Sequence, residues 1–160
     1  MPVISSQKDP DALTMTIVAE FDAPVDRVWQ VWEDPRRLER WWGPPTWPAT
    51  FTKHEFVVGG AARYHMTGPD GTKAPGWWTI TAIEAPHRLE FDDGFSKEDG
   101  EPADDLPPMR MVVTLEQAAE RTRMTTVTTF ATVEAMEKVV AMGMEEGMGL
   151  AMGQIDDLLR

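Results

Sequence analysis

The residues with the best claim to chemistry in this chain of 160 residues are a few polar side chains set in otherwise apolar segments. Arg63 and His65 lie in a stretch that alternates as a strand does, so they share one face, opposite Ala62, Tyr64 and Met66. On a concave face they would offer a cation and a titratable imidazole to an anionic or carbonyl group. On a convex face both are ordinary solvent-facing residues, and alternation alone leaves the two readings open. An enzyme of the cyclase or hydrolase type would draw its general acid and base groups from His65, Glu90, Tyr64 and Arg110.

Other chemistries lack their parts. Without cysteine there is no thiolate nucleophile, disulfide or thiolate metal site. The sequence contains no His-Glu-x-x-His, no acidic calcium loop, no Gly-x-Ser-x-Gly and no phosphate-cradling or dinucleotide-binding glycine loop. We therefore expect no metal, no cofactor and no catalytic nucleophile. Asp92-Asp93 and Asp104-Asp105 bracket a proline-rich acidic stretch over residues 94–108, which reads as a solvated charged loop. A formal net charge of -12 repels phosphate backbones and anionic head groups, so nucleic acid and membrane surfaces are not expected partners.

The elements that must position these residues follow from hydrophobic period. Leu13, Met15, Ile17, Ala19 and Phe21 alternate with mostly polar neighbours and predict a first strand. Pro24 and the Asp34-Pro35 pair are helix-start signals and Gly43-Pro44-Pro45 is a stop, which predicts two short helices in succession. Between residues 49 and 130, turn residues punctuate runs rich in β-branched and aromatic side chains. These predict strands over 50–57, 60–67, 76–85, 88–93, 109–116 and 121–130. The links are too short for parallel crossovers, so the fold class is α+β with a curved antiparallel sheet of six to seven strands.

From Val133 to Arg160 the period becomes helical, with Met136, Val140, Met144, Met148, Ile155 and Leu159 on or near one stripe. A continuous helix of that length would reach about 40 Å and cover the sheet. Residues 1–160 are expected to form one domain, with 1–11 a poorly ordered tail. That tail has neither the basic start nor the apolar run of a secretory signal, so cytoplasm is the expected location. No stretch approaches the roughly 20 apolar residues that span a bilayer.

Gly143, Gly147, Gly149 and Gly153 fall inside the terminal helical pattern, where each glycine costs about 1 kcal/mol relative to alanine. Gly143, Gly147 and Ala151 form a row of small residues beside the row Met144, Met148 and Met152. Two structural explanations offer themselves: close packing of helix on sheet, or a break near Gly143. The functional one is that the missing side chains leave room for a ligand lined by adaptable methionines. The tryptophans cluster at 29–47 and 77–78, where they either fill the core or form an aromatic rim at Trp41, Trp42 and Trp78. The candidate ligand-binding set is therefore Trp41, Trp42, Arg63, His65, Trp78, Met111, Met144, Gly147, Met148 and Met152.

Several pieces taken together carry a family likeness. They are Phe21-Asp22-Ala23-Pro24-Val25 with Val28-Trp29, Trp41-Trp42-Gly43-Pro44, Gly59-Gly60-Ala61-Ala62-Arg63, Gly68-Pro69-Asp70-Gly71, and Gly143 and Gly147 with Ile155-Asp156-Asp157-Leu158-Leu159. In order and spacing the chain resembles the SRPBCC superfamily of START-like, helix-grip proteins, and more closely its branch of homologues of the heat-shock chaperone ATPase activators. The resemblance implies a deep cavity between sheet and terminal helix that holds a small apolar or aromatic molecule. It also implies two alternatives, an acid-base enzyme in that cavity and a chaperone-interacting domain with a part in stress response. A homodimer is compatible with all three.

Overall fold

The computed structural model describes residues 3–97 and 107–160. Most of the acidic stretch expected over 94–108, including Asp104 and Asp105, lies outside the described residues. The expected alternation is clearest in β2 (Thr14–Phe21), where Met15, Ile17, Ala19 and Phe21 turn inward. Two short helices follow, α1 (Val25–Glu33) and α2 (Pro35–Leu38). The Asp34 side chain accepts the Arg36 N–H at 2.9 Å and so caps the second of them, as its place before Pro35 implies.

The remaining strands are β3 (Ala49–His54), β4 (Ala61–Thr67), β5 (Lys73–Glu84), β6 (Arg88–Phe95), β7 (Met109–Ala118) and β8 (Arg121–Thr129). With a further strand β1 (Val3–Asp9) at one edge, all neighbouring pairs are antiparallel, in the order β1-β2-β8-β7-β6-β5-β4-β3.

The first correction is β1 itself (Val3–Asp9), which makes the sheet eight-stranded instead of six- or seven-stranded. These residues were expected to be a tail. Ile4 to Asp9 are exposed, so the strand carries no inward set of apolar side chains and no period-two signal. Backbone pairing with β2 holds it, together with hydrogen bonds from Ser6 and Lys8 to Glu145.

The second correction concerns the terminal helix, which is three segments: α3 (Val133–Ala141), α4 (Met144–Gly153) and α5 (Ile155–Leu158). Gly143 adopts φ 88°, a left-handed conformation that side chains resist, and the helix is interrupted there. Of the two structural explanations for the glycines, the break near Gly143 is the one realised. No helix among the described residues is long and apolar enough to cross a membrane.

The core below α1 and α2 is aromatic. Trp78 stacks on Phe91 with centroids 4.0 Å apart, and Trp32 meets Trp41 edge to face at 4.7 Å. Two of the indoles find partners: Trp41 Nε1 donates to the Val31 carbonyl at 2.9 Å and Trp32 Nε1 to the Met124 sulfur at 3.4 Å.

Candidate ligand-binding cavity

Between the inner face of the sheet and the α3–α4 segments lies a cavity of about 220 Å³. Its floor comes from strands by period-two alternation. Tyr64 and Met66 project from β4, Asp93 and Phe95 from β6, and Met109 from the start of β7. Its cover is Val139, Met142, Gly143, Met144, Gly147, Met148 and Ala151, and one wall is Trp41, Trp42 and Pro44. Met142 is 59% exposed and so stands at the rim, beside the break at Gly143. A Cβ built on Gly147 would meet no atom within 4 Å, so this glycine faces open space and not a close backbone.

The structure divides the candidate set into three groups. Trp41, Trp42, Met144, Gly147 and Met148 line the cavity. Trp78, Met111 and Met152 are fully buried but pack in the core and do not reach it. Arg63 and His65 lie on the opposite face of β4 from Tyr64 and Met66, so the convex reading holds for them. Arg63 Nη1 donates to the Ala62 carbonyl at 2.9 Å. Glu90 and Arg110 are also outside, paired with Arg88 and Asp92 respectively at 3.3 Å each. Of the acid and base groups named from the sequence, only Tyr64 faces the cavity. His54 and His87 donate to the carbonyls of Trp32 and Leu115, and neither lines it.

Asp93 is the residue the sequence reading misplaced. It is only 5% exposed, not solvated, and continues the inward series Leu89, Phe91. That alternation was the signal available, outweighed by the acidic stretch that follows. The Tyr64 hydroxyl donates to Asp93 Oδ1 at 3.1 Å. Gly76, between them on β5, makes this reach feasible: it pairs with Tyr64 on one side and Phe95 on the other, and a Cβ there would overlap the Tyr64 ring. The ring therefore crosses β5 to meet β6.

Burial raises the Asp93 carboxyl to about 7, although the Tyr64 hydroxyl and the Gly94 N–H both favour its charged form. Burial also pushes Tyr64 well above the usual phenol range, and the Asp93 charge adds to that. The Trp42 indole N–H acts on Tyr64 in the opposite sense, but it falls short of hydrogen-bond geometry and is left a buried donor without a partner. Trp42 and Tyr64 meet edge to face at 6.0 Å. The cavity is thus an apolar, methionine-rich space with one polar corner made by Trp42, Tyr64 and Asp93.

A family model described as Activator of Hsp90 ATPase homolog 1-like protein matches residues 22–160. Among solved structures, a protein from Arthrobacter aurescens is 62% identical with a TM-score of 0.95, covering 98% of this chain and 91% of that one. A Mycobacterium smegmatis protein is 49% identical with a TM-score of 0.93, covering 99% and 98%. The AHSA1 protein of Silicibacter pomeroyi, at 16% identity and a TM-score of 0.72 over 90% of this chain and 95% of that one, shares the fold. No curated protein matches the chain.

Proposed function

Because the chain belongs to the Activator of Hsp90 ATPase homolog 1-like family, on the helix-grip fold, we propose that it binds a compact apolar or aromatic molecule in the cavity between sheet and α3–α4. The observation that carries this reading is the open space in front of Gly147, walled by Met144, Met148, Trp41 and Trp42. A core under ordinary selection for stability closes such voids, since each missing methylene costs packing energy. The volume of about 220 Å³ exceeds the roughly 150 Å³ that holds benzene in an engineered cavity and falls below the ~300–1,000 Å³ of drug-sized sites. A one- or two-ring ligand fits that range. Sensing or sequestration needs no more than this.

Gly147→Leu tests the proposal directly. The added side chain occupies the space in front of α4, and its helix propensity exceeds glycine's by up to about 1 kcal/mol. We expect stability equal to or above the parent by thermal unfolding and at least tenfold weaker binding of a naphthalene-type probe by fluorescence or calorimetry. Retained affinity in a folded Gly147→Leu variant would sink the cavity reading. Arg63→Ala and His65→Ala, on the outer face, are expected to leave probe affinity within twofold of the parent.

The family description also motivates a chaperone reading. Its readout is the ATPase rate of the host's Hsp90-type chaperone, and a rate unchanged at saturating protein counts against it.

A further inference from the structure

The cavity's polar corner narrows the ligand class. Three groups meet there just behind an otherwise apolar surface, within reach of a ligand after a small shift of the Trp42 ring: the unpartnered Trp42 N–H, the Tyr64 hydroxyl and the Asp93 carboxyl. Trp42 is 92% buried by complement of its 8% exposure, so its orphaned donor is not hydrated as a surface indole would be. An unmade bond of this kind costs more than a made one contributes, and a ligand acceptor would remove that cost. Asp93, for its part, has acceptor sites left over: a carboxylate has about four, and the Tyr64 hydroxyl and Gly94 N–H engage two of them. One ligand atom that both accepts and donates would satisfy the two together, and a hydroxyl oxygen is the simplest such atom.

Charge selects further. Among the described residues lining the cavity there is no Lys, Arg or His, and the one carboxyl group is Asp93. An anionic ligand would meet that carboxyl in an apolar wall with no cation to offset it. A cationic ligand would point its charge at the positive edge of the Trp42 N–H and would require an ion pair to be buried, which recovers little of its desolvation cost. A neutral hydroxyl avoids both.

We propose that the cavity takes a neutral one- or two-ring alcohol or phenol whose hydroxyl accepts from Trp42 Nε1 and donates to the Asp93 carboxyl, with Tyr64 orienting that carboxyl. The proposal rests on the binding reading above and deepens it.

The experiment compares four probes on one ring system, the substituents all at position 2, at pH 6.5 on the full chain: naphthalene, 2-naphthol, 2-naphthoate and 2-naphthylmethylammonium. Calorimetry or competition fluorescence gives the affinities. The expected result is 2-naphthol at least tenfold tighter than naphthalene, in line with hydrogen bonds of which one is to a partly charged group, and both charged probes weaker than 2-naphthol. Trp42→Phe and Asp93→Leu should each reduce the ratio of 2-naphthol to naphthalene affinity, measured on the same variant, to less than threefold.

Equal binding of naphthalene and 2-naphthol overturns the proposal and leaves the cavity reading intact. Tighter binding of either charged probe also overturns it, as does an advantage that survives both substitutions. Binding of no probe at all overturns the cavity reading, and this proposal with it. Should either variant fail to fold, the four parent affinities decide the matter alone.

Discussion

Asp93→Asn is expected to stabilise the protein at pH 8 by about 4 kcal/mol, and by progressively less as the pH falls. The carboxyl titrates near 7 in the folded chain, against an ordinary value of 3.8, because burial disfavours its charged form. Between those two pH values the folded protein holds a proton that the unfolded chain has released. Stability therefore declines as pH rises through this window, the reverse of the usual behaviour of a salt-bridged aspartate. Once ionisation is complete the cost is about 1.4 kcal/mol for each pH unit between the two titration points.

Asparagine cannot ionise, and its side-chain carbonyl can still accept from the Tyr64 hydroxyl. The measurement is the denaturation midpoint of parent and variant from pH 4 to pH 8.5. The two curves should converge toward pH 4 and separate as pH rises, with the parent falling. Parallel curves across that range would show that Asp93 is not the buried acid described here, and the polar corner would lose its central member. A Tyr64→Phe control bears on the same point, because removing the hydroxyl takes away a bond that favours the carboxylate and should push the Asp93 titration higher still.

The second large effect is at Trp78, where alanine is expected to cost about 3–5 kcal/mol. Trp78 is fully buried and is the hub of the aromatic cluster. It stacks on Phe91 at 4.0 Å, meets Trp42 edge to face at 5.0 Å and Phe51 at 5.5 Å, and lies 6.2 Å from Trp32. Aromatic pairs of this geometry add to the simple burial of area. A domain's whole net stability is about 5–15 kcal/mol, so the alanine variant stands at the edge of folding.

Trp78→Phe keeps most of the stack and removes an indole N–H that has no partner, so its cost should be clearly smaller. Urea unfolding at constant slope reads both. A loss below about 1 kcal/mol for the alanine variant would return Trp78 to the cavity rim, where a missing side chain merely enlarges a space. The contrast with Gly147→Leu is useful. One site supports the fold and the other borders the void, although both belonged to the same candidate set.

That set shows where sequence reasoning holds and where it stops. Trp41, Trp42, Met144, Gly147 and Met148 were legible because their local patterns already limit where they can lie: a double tryptophan before Gly-Pro, and a small-residue row beside a methionine row. Arg63 and His65 were recognised as sharing a face, but period two says only that residues share a face and not which face is concave. Trp78, Met111 and Met152 were correctly judged apolar, yet core and cavity lining have the same composition. Asp93 was lost to its neighbours, since a carboxylate before an acidic stretch resembles solvated chain until the inward register of Leu89 and Phe91 is carried two residues further. β1 was missed because a strand exposed on nearly its whole length has no hydrophobic period to detect.

The sequence by itself determined the α+β class, the family, the antiparallel order of strands joined by short links, and the stock of methionine, tryptophan and glycine from which a cavity could be built. These are local or compositional properties, and local sterics and hydrophobic period are enough to express them. Only the tertiary structure decided that the terminal helix is interrupted at Gly143, that the sheet curves so as to put Tyr64 and Asp93 inside and Arg63 and His65 outside, and that Gly76 leaves room for one to reach the other. Each of those depends on strand register and on which side of the sheet α3 and α4 cover. Contacts between residues far apart in the chain fix both, and no window of sequence contains them.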